Sequence, residues 1–279
     1  MDMLVTTEWL AGELGAADLR IADASWFLPG ENRDPHADYA SAHIPGAVFF
    51  DLADLAETDT DLPNMLPRPE KFADRMRTLG LGDGARIVLY DASPHHTATR
   101  AWWMLRMFGA PDVALLDGGF AKWRDEGRPV ASGRETPPTS AFTPRGRLAD
   151  VRDKAQMLAN VDSAAEQVID ARSAARFAGA DPEPRPGMAA GHIPGARNLP
   201  YPRLFDPDGT WKRGAALQAE FDAAGIDLSR PFVTTCGSGM SACIPLFGAQ
   251  LLGHDGALYD GSWSEWGGDP STPKATGAA

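Results

Sequence analysis

The stretch TTCGSGMSAC, residues 234–243, holds both cysteines of this chain. A free thiol packs like a small hydrophobe, so a structural cysteine belongs on an apolar wall. Cys236 instead opens a glycine-rich turn directly after an apolar strand, where Gly237 and Gly239 leave bare backbone that a ligand can approach. A short loop between a strand and a helix N-terminus turns several N–H groups toward one spot and adds the positive end of the helix dipole. A thiol on such a loop ionises more easily, and its anionic sulfur is stabilised by backbone rather than by a neighbouring base. Cys236 therefore reads as a nucleophile placed to be reached. Cys243 falls among Ile244, Leu246 and Phe247, one or two turns into the next helix, and is expected in the core. At seven residues' separation across a loop, the two are not expected to form a structural disulfide.

Three other readings fit the same residues. Gly237, Gly239 and Ala242 match the dinucleotide fingerprint G-x-G-x-x-A, with Asp260 about 20 residues on. Only 43 residues follow Cys236, too few for the rest of a dinucleotide domain. A cysteine phosphatase needs an arginine six residues after its nucleophile, and that position is Ala242. The third reading is an inert cysteine buried beside a turn.

The elements that must carry this loop are written twice. RIADAS (20–25) matches QVIDAR (167–172), and HIPGAVFFDL (43–52) matches HIPGARNLPY (192–201). ARIVLYDAS (85–93) matches RPFVTTCGS (230–238), and VALLDGGFAKW (113–123) matches GALYDGSWSEW (256–266). The offsets are 147, 149, 145 and 143, in unbroken order, which is the mark of a duplication. Apolar strands alternate with amphipathic stretches such as PEKFADRMRTLGL and AALQAEFDAAGI, which end near Gly80 and Gly225 like glycine-capped helices. That alternation predicts an α/β fold of two similar domains, each a mainly parallel sheet with helices on both faces. The first domain is placed at residues 1–135 and the second at 151–279, with the Pro-, Ser- and Thr-rich stretch 136–150 as linker. Cys236 aligns with Asp91, Gly237 with Ala92 and Ser238 with Ser93, so the first copy is expected to be chemically silent.

Bulk properties narrow the partners. The 279 residues carry a formal net charge of −12 and are 43% hydrophobic. Such a surface repels nucleic acid and anionic membranes, and neither is an expected partner. No run approaches the length of a membrane span, and the N-terminus has no basic region followed by an apolar core. With few cysteines, the expected location is the cytoplasm.

At this point the blocks can be matched as a set. DASWFLP (23–29), both HIPGA turns, MLPRPEKFA (65–73), TRAWWMLRMFG (99–109), EPRPGMAAGHIPGA (183–196), TCGSGMSAC and YDGSWSEW together resemble the two-domain sulfurtransferases of the rhodanese superfamily. The likeness is greatest to the 3-mercaptopyruvate sulfurtransferases and covers nearly the whole chain. It implies that Cys236 takes sulfur from 3-mercaptopyruvate as a persulfide, releases pyruvate, and passes the sulfur to cyanide, a small thiol or thioredoxin. It implies two domains with only the second catalytic, and no metal or organic cofactor. Ser238 is a second catalytic candidate. Arg176 and Arg185 match the arginines that hold the donor carboxylate in that family, and Gly237, Gly239, Met240 and Ser241 complete the substrate-binding set. Thiosulfate-preferring relatives carry cationic side chains just after the cysteine; here those positions are Gly237, Ser238 and Gly239. The competing expectations are a thiosulfate sulfurtransferase and a persulfide carrier with slow turnover.

One departure stands out. The serine–histidine–aspartate relay proposed for some relatives would need histidine and aspartate where this chain has Asn64 and Ala53. His43 and His192 begin the HIPGA turns in both halves and are expected to stabilise those turns. His95 and His96 are expected in a solvated loop, and Asp91, Arg100, Trp102 and Trp103 as supports of the silent loop and the helix behind it.

Overall fold

The computed structural model describes residues 1–28, 30–146 and 148–278. Its contacts divide the chain into two compact units. One comprises Met1–Ala56, Leu66–Arg147 and Pro207–Thr210; the other comprises Glu57–Met65, Leu148–Asp206 and Trp211–Ala279.

In the first unit, strands β1 (Leu4–Val5), β2 (Leu19–Asp23), β3 (Ala47–Phe49), β4 (Arg86–Tyr90) and β5 (Val113–Leu116) form one parallel sheet in the order β1-β5-β4-β2-β3. Helices α1 (Thr7–Glu13), α2 (Pro35–Ser41), α3 (Leu52–Leu55), α4 (Pro69–Thr78), α5 (Ala98–Met107) and α6 (Gly119–Asp125) connect and cover it. Val88 and Tyr90 join Leu10 of α1 and Phe120 and Trp123 of α6 in one core cluster. Ile87 and Leu89, pointing the other way along β4, are also buried. A strand buried on both faces is why these segments read as unbroken apolar runs rather than alternating ones.

The second unit repeats the plan. Strands β6 (Val151–Arg152), β7 (Gln167–Asp170), β8 (Arg197–Asn198), β9 (Phe232–Thr235) and β10 (Ala257–Tyr259) lie in the order β6-β10-β9-β7-β8, again all parallel. Its helices are α7 (Lys154–Ser163), α8 (Ala174–Ala178), α9 (Gly214–Ala223), α10 (Cys243–Leu251) and α11 (Ser262–Trp266). The duplication reaches individual hydrogen bonds. Nδ1 of His43 donates to the Tyr39 carbonyl at 2.9 Å, and Nδ1 of His192 donates to the Phe177 carbonyl at 2.8 Å. Each histidine also makes an antiparallel bridge, His43 to Ala131 and His192 to Ala275, so both hold their turns as structural residues. Nε1 of Trp123 and of Trp266 each donates to a proline carbonyl, Pro129 and Pro273, at 2.7 Å.

The helices anticipated from apolar spacing are present. Helix α4 takes Pro69 in its first turn, buries Phe72, Ala73 and Met76, and carries Arg75 and Arg77 in its last turn. Gly80, at φ +69°, then stops it in a conformation that other residues adopt only at a cost. Gly225 ends α9 the same way, also at φ +69°.

Candidate active site

Strand β9 runs through the middle of the second sheet and ends at Thr235, paired in register with Asp170 of β7. Cys236 follows at once, and residues 236–242 form the loop before α10. Cys243 is the first residue of α10, earlier than anticipated, and is fully buried as a core residue. Its Sγ donates to the Gly239 carbonyl at 3.5 Å, so it props the loop from behind.

The loop is pinned from α11. The amides of Trp263 and Ser264 donate to the carbonyls of Cys236 and Gly237 at 3.0 and 2.9 Å, and the Ser264 hydroxyl adds a 2.7 Å bond to Gly237. In a trans peptide the N–H points opposite to the carbonyl, so the Gly237 and Ser238 amides point away from α11. Among the described residues, none accepts a hydrogen bond from the amides of Gly237, Ser238, Met240, Ser241 or Ala242. The hydroxyl of Ser262 ties the two ends of the loop together. It accepts from the amides of Cys236 (3.3 Å) and Gly239 (3.1 Å) and donates to the Tyr259 carbonyl at 2.8 Å. To do so Ser262 sits at φ +49°, a left-handed conformation that is costly for serine and that clusters at functional sites. Gly239, at φ +77°, takes the same region without that cost.

The duplicated loop of the first unit shows what such a cradle holds. There Asp91 occupies the cysteine position, and its carboxylate accepts from the Ser93 amide at 3.0 Å and the Ala98 amide at 2.7 Å. The first loop thus turns its amides onto an acidic side chain of its own, whereas the second leaves its amides open. His96 of that first loop is largely enclosed rather than solvated, and burial lowers its imidazole pKa to about 4. His95 pairs with Glu31 at 2.9 Å. Arg100 is buried with its guanidinium over the Trp103 ring at 4.6 Å, a supporting role.

Cys236 itself is 2% exposed, more enclosed than a glycine-rich turn suggests, because the loop folds around it and is held to α11 on its outer side. Arg176, from α8, reaches the loop: its Nη2 lies 3.1 Å from where a Cβ on Gly237 would stand. A side chain at position 237 would push this guanidinium aside by a few tenths of an ångström. Arg185 donates from Nη1 to the Ser264 hydroxyl at 2.8 Å. Its pKa is lowered, mainly by burial, against an opposing pull from Cys236 and with a repulsive contribution from Arg176. Ser238 is met by Asn64, whose Nδ2 donates to the Ser238 hydroxyl oxygen at 2.9 Å. The structure therefore brings together Cys236, Gly237, Ser238, Gly239 and both arginines. Met240 and Ser241 continue the same loop. Ala53 lies in α3 and donates its amide to Asp51.

Sequence reasoning missed the frame behind the arginines. Asp170, at the end of β7, accepts from Arg172 Nε and Nη2 at 3.0 and 2.6 Å, and both side chains are 1% exposed. Arg172 also donates to Glu183 at 2.7 Å and lies over the Trp263 ring at 4.5 Å. Glu183 in turn holds Arg176 at 2.5 Å. A signal for two of the missed residues was present: Ser262 and Ser264 align with Gly119 and Ala121, so these hydroxyls occur only in the copy that has the thiol.

Two repeats of one parallel α/β plan, one of them with a cysteine in an open backbone loop, define a tandem rhodanese architecture. Residues 6–126 and 151–269 each match the Rhodanese-like domain family, and the chain belongs to that family of sulfurtransferases. It is 40% identical over 277 residues to the 3-mercaptopyruvate sulfurtransferase of Escherichia coli K12, covering 96% of each chain. It is 39% identical over 272 residues to the thiosulfate sulfurtransferase of Cricetulus griseus, covering 94% of this chain and 91% of that one. The crystal structure of SseA from Escherichia coli, described as a 3-mercaptopyruvate sulfotransferase, superposes with a TM-score of 0.87 at 37% identity. That match covers 95% of this chain and all of SseA.

Proposed function

We propose that this protein is a 3-mercaptopyruvate sulfurtransferase with Cys236 as the sulfur carrier. The Cys236 thiolate attacks the donor's sulfur and forms an S–S bond. The donor's C–S bond breaks, and its electron pair passes to the methylene carbon as the enolate of pyruvate. That carbon takes a proton delivered from solvent past Ser238, and pyruvate leaves. The donor's own thiol proton is lost from the persulfide, whose charge rests on the open amides of the loop. A thiol acceptor, reduced thioredoxin among them, or cyanide then takes the outer sulfur and returns Cys236 to the thiolate, a ping-pong cycle.

The observation that carries this reading is the charge beside Cys236. The loop has no cationic side chain; instead two guanidiniums flank it, that of Arg176 against Gly237 and that of Arg185 on the neutral Ser264 hydroxyl, which itself holds the Gly237 carbonyl. A planar fork suits the single carboxylate of a keto acid, with Met240 and Ser241 completing the wall. In this reading residues 1–135 are the silent domain, 136–150 the linker and 151–279 the catalytic domain, and the enzyme works in the cytoplasm.

The deciding experiment compares pyruvate release from 3-mercaptopyruvate with thiocyanate formation from thiosulfate, for the wild type and Cys236→Ser. Fast pyruvate release that disappears in the variant, with weak thiosulfate turnover, is the expected result. Thiosulfate as the better donor overturns the choice of substrate. Stable loading of Cys236 without turnover of either makes the protein a carrier.

A further inference from the structure

The buried carboxylate of Glu183 has no part in the transfer steps above, yet it touches two of the arginines. Its side chain is 4% exposed. Oε1 accepts from Arg172 Nη1 at 2.7 Å and Arg176 Nε at 3.3 Å, and Oε2 accepts from Arg176 Nη2 at 2.5 Å. Arg172 is already held by Asp170. Asp170, Arg172, Glu183 and Arg176 thus form a continuous ion-paired chain of two carboxylates and two guanidiniums, whose charges cancel. Arg176 ends that chain against Gly237, next to the nucleophile, while Arg185 stands outside it.

We infer that Glu183 sets the charge of the donor this site accepts, by pinning Arg176 against Gly237 and cancelling its charge, so that the net positive charge beside the loop is the single one of Arg185, held on Ser264. This deepens the proposed function and rests on it. A keto-acid donor brings one negative charge and meets one guanidinium, that of Arg185, which among the described residues is ion-paired to no carboxylate. Thiosulfate brings two, and its second charge enters a low-dielectric site without a counter-charge, which is unfavourable. Arg176 still offers N–H donors to a carboxylate, because Glu183 engages only Nε and Nη2. Glu183 is a positioning residue: it acts through Arg176 and touches no reacting atom.

The test is donor preference. Glu183→Gln keeps the shape and one acceptor but uncovers the Arg176 charge. The ratio of kcat/KM for thiosulfate over that for 3-mercaptopyruvate is expected to rise at least about tenfold, a minor part of the full interaction of two unit charges a few ångströms apart at a protein-like dielectric. Glu183→Asp keeps the charge and is expected to hold the wild-type ratio even where both rates fall. A parallel fall on both donors in Glu183→Gln, with no change in ratio, overturns the inference and leaves Glu183 a structural residue. Should Glu183→Gln not fold, the wild type supplies the measurement. Protection of Cys236 from alkylation by a neutral reagent is expected at lower concentrations of pyruvate than of oxalate, and equal or better protection by oxalate refutes charge matching. A wild type that does not release pyruvate at all fails the proposed function itself, a result distinct from any change of ratio.

Discussion

Asn64 donates its side-chain amide to the hydroxyl oxygen of Ser238 at 2.9 Å, across 174 residues of chain. The bond occupies a lone pair of Ser238 and leaves the hydroxyl hydrogen to be donated elsewhere, in the proposed reaction toward sulfur or the departing enolate. Asn64 sits at φ +60°, a conformation asparagine tolerates better than most residues. Neither an amide nor an aliphatic hydroxyl titrates in the working range, so the pair orients a proton without storing one.

Replacing Asn64 by glycine keeps the left-handed backbone and removes only the side chain. One lost hydrogen bond to a transition-state contact amounts to about tenfold in kcat, with the shape of the pH–rate profile unchanged. Asn64→Asp reverses the bond, because a carboxylate takes the Ser238 hydrogen, and is expected to be slower than Asn64→Gly. Steady-state kinetics from pH 6 to 9 check both, and a wild-type kcat in Asn64→Gly removes this residue from the mechanism.

Ser262 carries the loop. Its substitution by alanine strips the acceptor from two buried amides, Cys236 and Gly239, and keeps the unfavourable φ. A buried donor left unpaired costs about 1–3 kcal/mol. The urea midpoint of Ser262→Ala is expected to drop accordingly, and kcat to fall with it because the cradle loses its closure. Unchanged values of both would show that the bonds from Trp263 and Ser264 hold the loop unaided.

The silent loop makes a prediction about pH. Burial raises the Asp91 carboxyl pKa from 3.8 to about 7. Between those limits the folded protein keeps a proton that the unfolded chain releases, so the contribution of Asp91 to stability declines as pH rises and is fully lost above the upper limit. Burial lowers the His96 imidazole pKa from 6.5 to about 4. In that window the unfolded chain binds the extra proton, so the contribution of His96 is present above 6.5 and is lost as pH falls. The two slopes oppose one another within one loop. Thermal melting across this range is expected to tilt in opposite senses: relative to wild type, Asp91→Asn gains stability with rising pH and His96→Gln loses it. Curves parallel to wild type for either variant would contradict the assignment.

Much of this protein was legible in its residues. The duplication, the alternation of apolar strands with amphipathic helices and the glycine stops at Gly80 and Gly225 are local patterns, and each reports a short-range cause: side-chain period, backbone freedom or capping. The same holds for Cys236 in its glycine loop and for the asymmetry with Asp91, since comparing two copies needs only the string. The relations that tune the site are not local. Asn64 meets Ser238 because residues 57–65 belong to the second compact unit although they lie within the first half of the chain. Arg176 reaches Gly237 because β7, which leads into α8, ends beside β9, which leads into the loop. Ser262 ties Cys236 to Gly239 only once β10 lies against β9. Sequence spacing determines which side chains each element presents. Which of them meet depends on strand order and crossovers, and the enclosure of Cys236 and the charges around its loop were decided there.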